Sequence, residues 1–149
     1  MLSGIDPLLT GELLAALDAM GHGDAVVHAD AHFPAARVAR RLLVAPAVGT
    51  PELLRAVRSV LPLDDDAPAV DLMASADGVP LAVQRELADA AGPGLDGVRF
   101  LERFAFYREA EQAFVVVRTG ETRTYANLLV RKGVVPGPPA HLRRSATAP

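Results

Sequence analysis

Thr10 to Phe33 reads TGELLAALDAMGHGDAVVHADAHF, and a change of period inside this stretch decides the fold. Leu13, Leu14, Leu17 and Met20 recur at helical spacing behind Thr10, a suitable cap, and Gly21 stands where a left-handed C-terminal cap is common. From Asp24 the period becomes two. Val26, His28, Asp30 and His32 alternate with Val27, Ala29, Ala31 and Phe33, which predicts a strand running into a loop. Further along, Leu42 to Ala45 predicts a second strand, and Thr50 as cap with Pro51 at the first helical position opens a helix to about Leu61. Asp64, Asp65 and Asp66 form an acidic turn before the apolar run Ala69 to Ala74, and Pro80 opens a helix through about Ala91. Val98 to Leu101 predicts a strand, Phe104 to Ala113 a helix, Phe114 to Thr119 a strand and Tyr125 to Arg131 a last strand. Such alternation implies right-handed crossovers and a single three-layer α/β domain with a largely parallel sheet and helices on both faces. The domain is expected to span 1–135. Residues 136–149, rich in Pro, Ala and Ser, are expected to form a flexible tail.

Composition narrows the function. At 149 residues, half of them apolar and 22% charged, the chain has room for one hydrophobic core and is far from the disordered class. A formal charge of −3 offers no broad positive field for phosphates, so no nucleic-acid partner is expected. The absence of Cys excludes disulfides, thiolate nucleophiles and Cys-based metal centres. Met1 to Met20 carries Asp6, Glu12 and Asp18 but no Lys or Arg, unlike a signal peptide, and nowhere do about 18 apolar residues run together. The expectation is a soluble cytoplasmic protein with no membrane partner.

Three constellations carry possible chemistry. The first, GHGDAVVHADAH, gathers His22, Asp24, His28, Asp30 and His32. Alternation puts His28, Asp30 and His32 on one face near the carboxyl end of the strand, where open α/β sheets place ligands. His22, after the helix end, is expected to project toward the same edge, and an imidazole titrating near neutrality suits proton transfer. A zinc or iron site on these side chains competes with that reading, although no Cys or Glu completes a recognised spacing. In the second, RFAFYREAEQAF, Arg103 precedes the helix and Tyr107 follows one turn later, so a guanidinium can donate in a fork to a sugar or carboxylate oxygen. In the third, TRTYANLLV, Tyr125 and Asn127 share a strand face and offer a hydroxyl and an amide, donors and acceptors that suit a polyol. A GxGxxG turn, a P-loop, a GxSxG elbow and HExxH are all missing from the sequence. What remains is cofactor-free proton chemistry on a neutral molecule.

The segments GIDPLLTGELLAALDAMGHGDAVVHADAHFPA, RFAFYREAEQAF and TGETRTYANLLVRKGV resemble the hallmark segments of fucose mutarotases and ribose pyranases, in the same order and spacing. The resemblance runs from about Leu2 to Val135. It implies an α/β fold related to Rossmann topologies, a homo-oligomeric ring, typically a decamer, and interconversion of monosaccharide anomers without metal or cofactor. Position by position it assigns His22 as the catalytic histidine, Asp30 as the sugar-binding carboxylate, Arg103 as the basic residue before FAFY, and Tyr125, Ala126 and Asn127 as the closing sugar-binding tripeptide. HFPA and Arg103 to Tyr107 look like the L-fucose branch, since the ribose branch usually carries His where Arg103 stands. Ala126 is common in ribose pyranases, and the stretch 35–49, with Arg37, Arg40 and Arg41, departs from the fucose enzymes, which keeps D-ribose as the alternative sugar. A non-catalytic sugar-binding or regulatory module is the rival class, and a metal-dependent hydrolase is a more distant one.

Overall fold

A computed structural model of the chain describes residues 2–66, 68–135 and 137, so the expected tail lies outside the described residues apart from Gly137. Helix α1 (Gly11–Ala19) starts as the sequence predicts: the Thr10 hydroxyl accepts from the Leu13 amide at 3.3 Å. Its end differs. Met20 closes the helix in extended backbone and the left-handed residue is Gly23, at φ +81°, rather than Gly21. Asp24 causes the shift, because its carboxylate accepts from the Gly21 amide at 2.8 Å and its own amide donates to the Gly21 carbonyl. Thr10→Ala is expected to cost about 1 kcal/mol of folding stability, read as a lower denaturant midpoint at unchanged slope.

The elements that follow are β1 (Ala25–Ala29), α2 (Ala35–Val38), β2 (Leu42–Ala45), α3 (Thr50–Arg58), β3 (Val70–Met73), α4 (Ala82–Ala91), β4 (Arg99–Leu101), α5 (Arg103–Gln112), β5 (Val115–Thr119) and β6 (Leu128–Arg131). The short helix α2 stands where the sequence reading had only a connecting segment. Thr50 does not cap α3: Gly49 holds that position, and the Thr50 hydroxyl instead meets Thr119 Oγ1 at 2.9 Å in the interior.

The strands form one sheet in the order β2-β5-β1-β6-β3-β4. Pairings β1 with β5, β2 with β5 and β3 with β4 are parallel, whereas β6 is antiparallel to both its neighbours, β1 and β3. The sheet is therefore largely parallel with one reversed strand at its centre. The connection 120–127 between β5 and β6 holds no helix, so β6 has to come back over the same edge. On one face Leu53, Leu54 and Val57 of α3, Leu87 of α4 and Leu17 of α1 pack against Val26, Val115, Leu128 and Leu72. On the other, Phe106 and Ala110 of α5 and Val38 of α2 cover Val27, Ala29, Val116 and Leu129. Each fully buried leucine contributes on the order of 2 kcal/mol, and the two cores make three layers. Asp71, wholly buried on β3, accepts from Arg99 Nε at 2.6 Å and Arg131 Nη1 at 2.7 Å, and Arg131 also reaches Glu109 of α5 at 3.1 Å. Among the described residues no helix is long and apolar enough to cross a membrane.

Candidate active site

Five strands point the same way, and the segments leaving their carboxyl ends meet the start of β6. Asp30 follows β1, Met73 ends β3, Arg103 opens α5 directly after β4, and Asn127 precedes β6. Together with His32, Phe33, Tyr107, Thr124 and Tyr125 they line a cavity of about 200 Å³. This is below the roughly 300–1,000 Å³ of drug-sized sites, so it suits one small ring. A wider groove bounded by Ala74 to Gly78 and Glu102 adjoins it and shares Arg103 and Tyr125.

Asp30 and Asn127 are the most firmly held pair. The Asp30 amide donates to Asn127 Oδ1 at 2.9 Å, and Asn127 Nδ2 donates back to Asp30 Oδ2 at 2.7 Å. The His32 amide also donates to Asp30 Oδ1, at 2.9 Å. Both side chains are almost completely buried, so the carboxylate is fixed by donors and not left to find them. Asn127 sits in a loop, not on a strand: regular pairing starts at Leu128, and Tyr125 to Asn127 form the turn before it. The shared strand face predicted for Tyr125 and Asn127 is thus replaced by a turn in which Tyr125 carries φ +62°. That conformation costs a non-glycine residue about 1–2 kcal/mol. It is imposed by its neighbours, since Ala126 is wholly buried in the core and Asn127 is tied to Asp30, and it directs Tyr125 into the cavity wall.

Arg103 is the first residue of α5, one position further into the helix than the sequence suggests. The Glu102 carboxylate caps this helix, accepting from the Phe104 amide at 2.8 Å and the Ala105 amide at 3.2 Å. The guanidinium lies over the Phe104 ring at 5.0 Å, and among the described residues no carboxylate pairs with it. It is exposed and available to a ligand. One turn on, Tyr107 packs edge-on against Phe33, with centroids 5.4 Å apart, and with Met73 makes the apolar part of the lining. The cavity therefore offers a fixed acceptor, a free cationic donor, a phenol and an apolar wall, as an uncharged polyhydroxylated ring requires.

Two histidines of the first constellation are placed elsewhere. His28 lies within β1, and its ring is completely buried on the α1/α3/α4 side of the sheet, so the shared face predicted for His28, Asp30 and His32 does not form. The strand stops at Ala29, and Asp30 and His32 belong to the loop. His22 was expected at the same edge as Asp30 and is not. It precedes β1 while Asp30 follows it, and a five-residue strand is about 17 Å long, which puts the two at opposite ends of the sheet. There His22 is half exposed, and its Nε2 lies 3.1 Å from Asp64 Oδ1. Among the described residues, three ligand-type side chains converge only at His22, Asp64 and Asp66. Asp66 is exposed and 4.0 Å from the ring, so the arrangement is a hydrogen bond and not a built cation site. Nothing in the sequence marks Met73 and Thr124 as cavity residues, and Asp64, the first residue of the acidic turn, is buried.

Comparison with known proteins bears on the family and the fold. Residues 3–135 match the sequence profile of the RbsD / FucU transport protein family. The fold superposes on the crystal structure of protein Atu2016, a candidate sugar-binding protein, with TM-score 0.85, 41% identity and coverage of 91% of this chain and 97% of that one. For FucU from Bifidobacterium longum the values are 0.83, 37%, 89% and 99%. For the fucose mutarotase of Streptococcus pneumoniae in complex with L-fucose they are 0.81, 34%, 90% and 99%. With a profile match over nearly the whole described chain and the same layered sheet in each of these structures, the chain belongs to the RbsD / FucU transport protein family.

Proposed function

We propose that this chain is a cofactor-free mutarotase that interconverts the α and β anomers of a monosaccharide, L-fucose first among them. One observation carries this reading: Asp30, Arg103, Tyr125 and Asn127, drawn from three distant parts of the chain, line a single small cavity with a neutral polyol's complement of donors and acceptors. Mutarotation opens a hemiacetal. A proton leaves the anomeric hydroxyl, another reaches the ring oxygen, and the aldehyde turns about its bond to C2 and recloses on the other face. Asp30 accepts from a sugar hydroxyl, Arg103 donates to sugar oxygens, and Tyr125 and Asn127 hold the ring, while Ala126, which the resemblance placed on the sugar, is buried in the core and anchors the turn that carries them. The moving proton belongs to His22. Since the ring stands half exposed at the far end of the sheet, it serves the cavity of a neighbouring copy, and the working unit is a homo-oligomer, a decameric ring by the family resemblance. The similarity to a mutarotase that binds L-fucose and the presence of Arg103 favour that sugar, whose methyl group would rest on Met73 and Phe33. Ala126 supports the second reading, D-ribose with pyranose–furanose exchange.

Saturation-transfer NMR on the anomeric resonances tests both. Accelerated exchange is expected, with a higher kcat/KM for L-fucose than for D-ribose. Binding of either sugar without acceleration would instead make the protein a sugar-binding or regulatory module.

A further inference from the structure

We infer that Arg123 is the positioning residue of Tyr125, clamping the loop between β5 and β6 to α4 so that the phenol is held in the cavity wall. This inference rests on the role proposed for Tyr125, which is to hold the sugar ring. The loop 120–127 has no helix or strand, and its two ends are fixed by separate means. At its start a Cβ on Gly120 would overlap the Pro46 carbonyl, so only glycine allows this approach, and the Gly120 amide donates to the Val48 carbonyl at 2.9 Å. The Ala31 amide donates to the Glu121 carbonyl at 2.8 Å, and His32 Nε2 to the Thr122 carbonyl at 3.2 Å. At the other end Ala126 is buried and Asn127 is tied to Asp30. Arg123, Thr124 and Tyr125 lie between these anchors. Thr124 and Tyr125 line the cavity, and among the described residues neither makes a hydrogen bond of its own.

Arg123 supplies the hold that they lack. Its Nε donates to Glu121 Oε1 at 2.9 Å and its Nη2 to Glu121 Oε2 at 2.8 Å, a fork that its own amide strengthens by donating to Oε1 at 3.0 Å. Nη1 reaches across to Glu86 on α4, at 2.9 Å from Oε1 and 3.0 Å from Oε2. A planar guanidinium can span two carboxylates in this way, whereas the compact charge of a lysine cannot. Glu121 is buried, and the hydrogen bonds from Arg123 hold its carboxyl below the usual range against the opposing penalty of burial.

The pair with Glu86 is half-exposed on both sides, and such pairs add little to folding stability. Its effect is on geometry. It fixes the backbone two positions before Tyr125, whose φ of +62° is one that a tyrosine keeps only where its surroundings impose it. The helix that provides this anchor already serves the cavity, because its buried Gln84 donates to the Met73 carbonyl at 2.7 Å and accepts from the Leu81 amide at 2.8 Å. One helix thus sets the places of two lining residues, Met73 through Gln84 and Tyr125 through Glu86 and Arg123.

Fluorine-19 NMR of the full chain labelled with 3-fluorotyrosine tests this, because the chain has only two tyrosines and Tyr107→Phe tells their resonances apart. In Arg123→Ala the Tyr125 resonance is expected to shift or broaden while that of Tyr107, packed on Phe33, stays in place. The dissociation constant for L-fucose, read from the same spectra, should rise about tenfold and KM with it, at a kcat within about twofold of the wild type, the pattern of lost uniform binding. Arg123→Lys should recover part of the loss. Glu86→Gln leaves no buried charge unpaired and decides the matter even where Arg123→Ala does not fold: it should disturb the Tyr125 resonance and raise the dissociation constant about threefold at an unchanged unfolding midpoint. In any variant that folds, an unchanged Tyr125 resonance with unchanged sugar affinity overturns the inference, as do equal changes at both tyrosines, which would mean general loosening. Failure of the wild-type protein to accelerate exchange removes the mutarotase reading instead, and the Tyr125 resonance still decides the role of Arg123.

Discussion

His22→Ala is expected to lower catalysed anomer exchange by about 10²- to 10⁴-fold, the span over which a positioned acid or base acts. The fold should be unaffected. The ring is half exposed and its one described polar contact is to Asp64, so truncation opens no internal cavity. Circular dichroism, unfolding midpoint and particle mass should match those of the wild type, and sugar binding by the cavity should persist because Asp30, Arg103, Tyr125 and Asn127 are untouched. Loss of kcat with KM nearly constant is the pattern of a group that acts only in the transition state. Equal loss of binding and turnover would place His22 in recognition and not in proton transfer.

Acid is expected to remove about 3 kcal/mol of folding stability between pH 6.5 and pH 4 through His28 alone. This ring is fully buried between β5 and β6, and neither of its nitrogens has a hydrogen-bond partner among the described residues. Burial disfavours the charged form and lowers the pKa from 6.5 to about 4. The sign follows from proton uptake. Above the unfolded value both states are neutral and stability does not depend on this group. As pH falls through 6.5 the unfolded chain takes a proton that the folded protein refuses, and the loss continues until the folded ring titrates near 4. Denaturation of wild type and His28→Leu at one fixed protein concentration isolates the effect from other titrating groups. The difference between the two curves should be flat above neutrality and widen toward acid in favour of the variant. Parallel curves would mean that the ring is solvated or partnered in solution.

The order of helices and strands, the short α2 apart, was legible in the sequence because each apolar period is a local property: Leu13, Leu17 and Met20 for α1, Val26 to Ala29 for β1, and the β-branched run Val115 to Val117 for β5. What the period does not encode is direction and end. The reversed strand β6 follows from the helix-free connection 120–127, a signal present in the sequence but overridden by the expectation of uniform alternation. The cavity residues were legible as chemical types, yet Tyr125 and Asn127 work from a strained turn, where Ala126 supplies the burial and Asp30 the grip. The largest discrepancy concerns His22. Eight positions from Asp30 in sequence looked like proximity, but an intervening strand turns sequence closeness into separation across the sheet. Asp64 was invisible for the converse reason: a run of three aspartates reads as solvated, and only the approach of the 63–64 backbone to Gly133 buries the first of them.

The central claim is that a site consists of the cavity of one copy and His22 of another. Coexpression of two inactive variants tests it most directly. His22→Ala keeps a sound cavity, while Arg103→Glu spoils the cavity at an exposed first-turn position where a negative charge is compatible with the helix. If the site is shared, random assembly of equal amounts pairs an intact cavity with an intact imidazole at about one site in four, and roughly a quarter of the wild-type exchange rate returns. Recovery of no activity from mixed oligomers of wild-type mass would contradict the account.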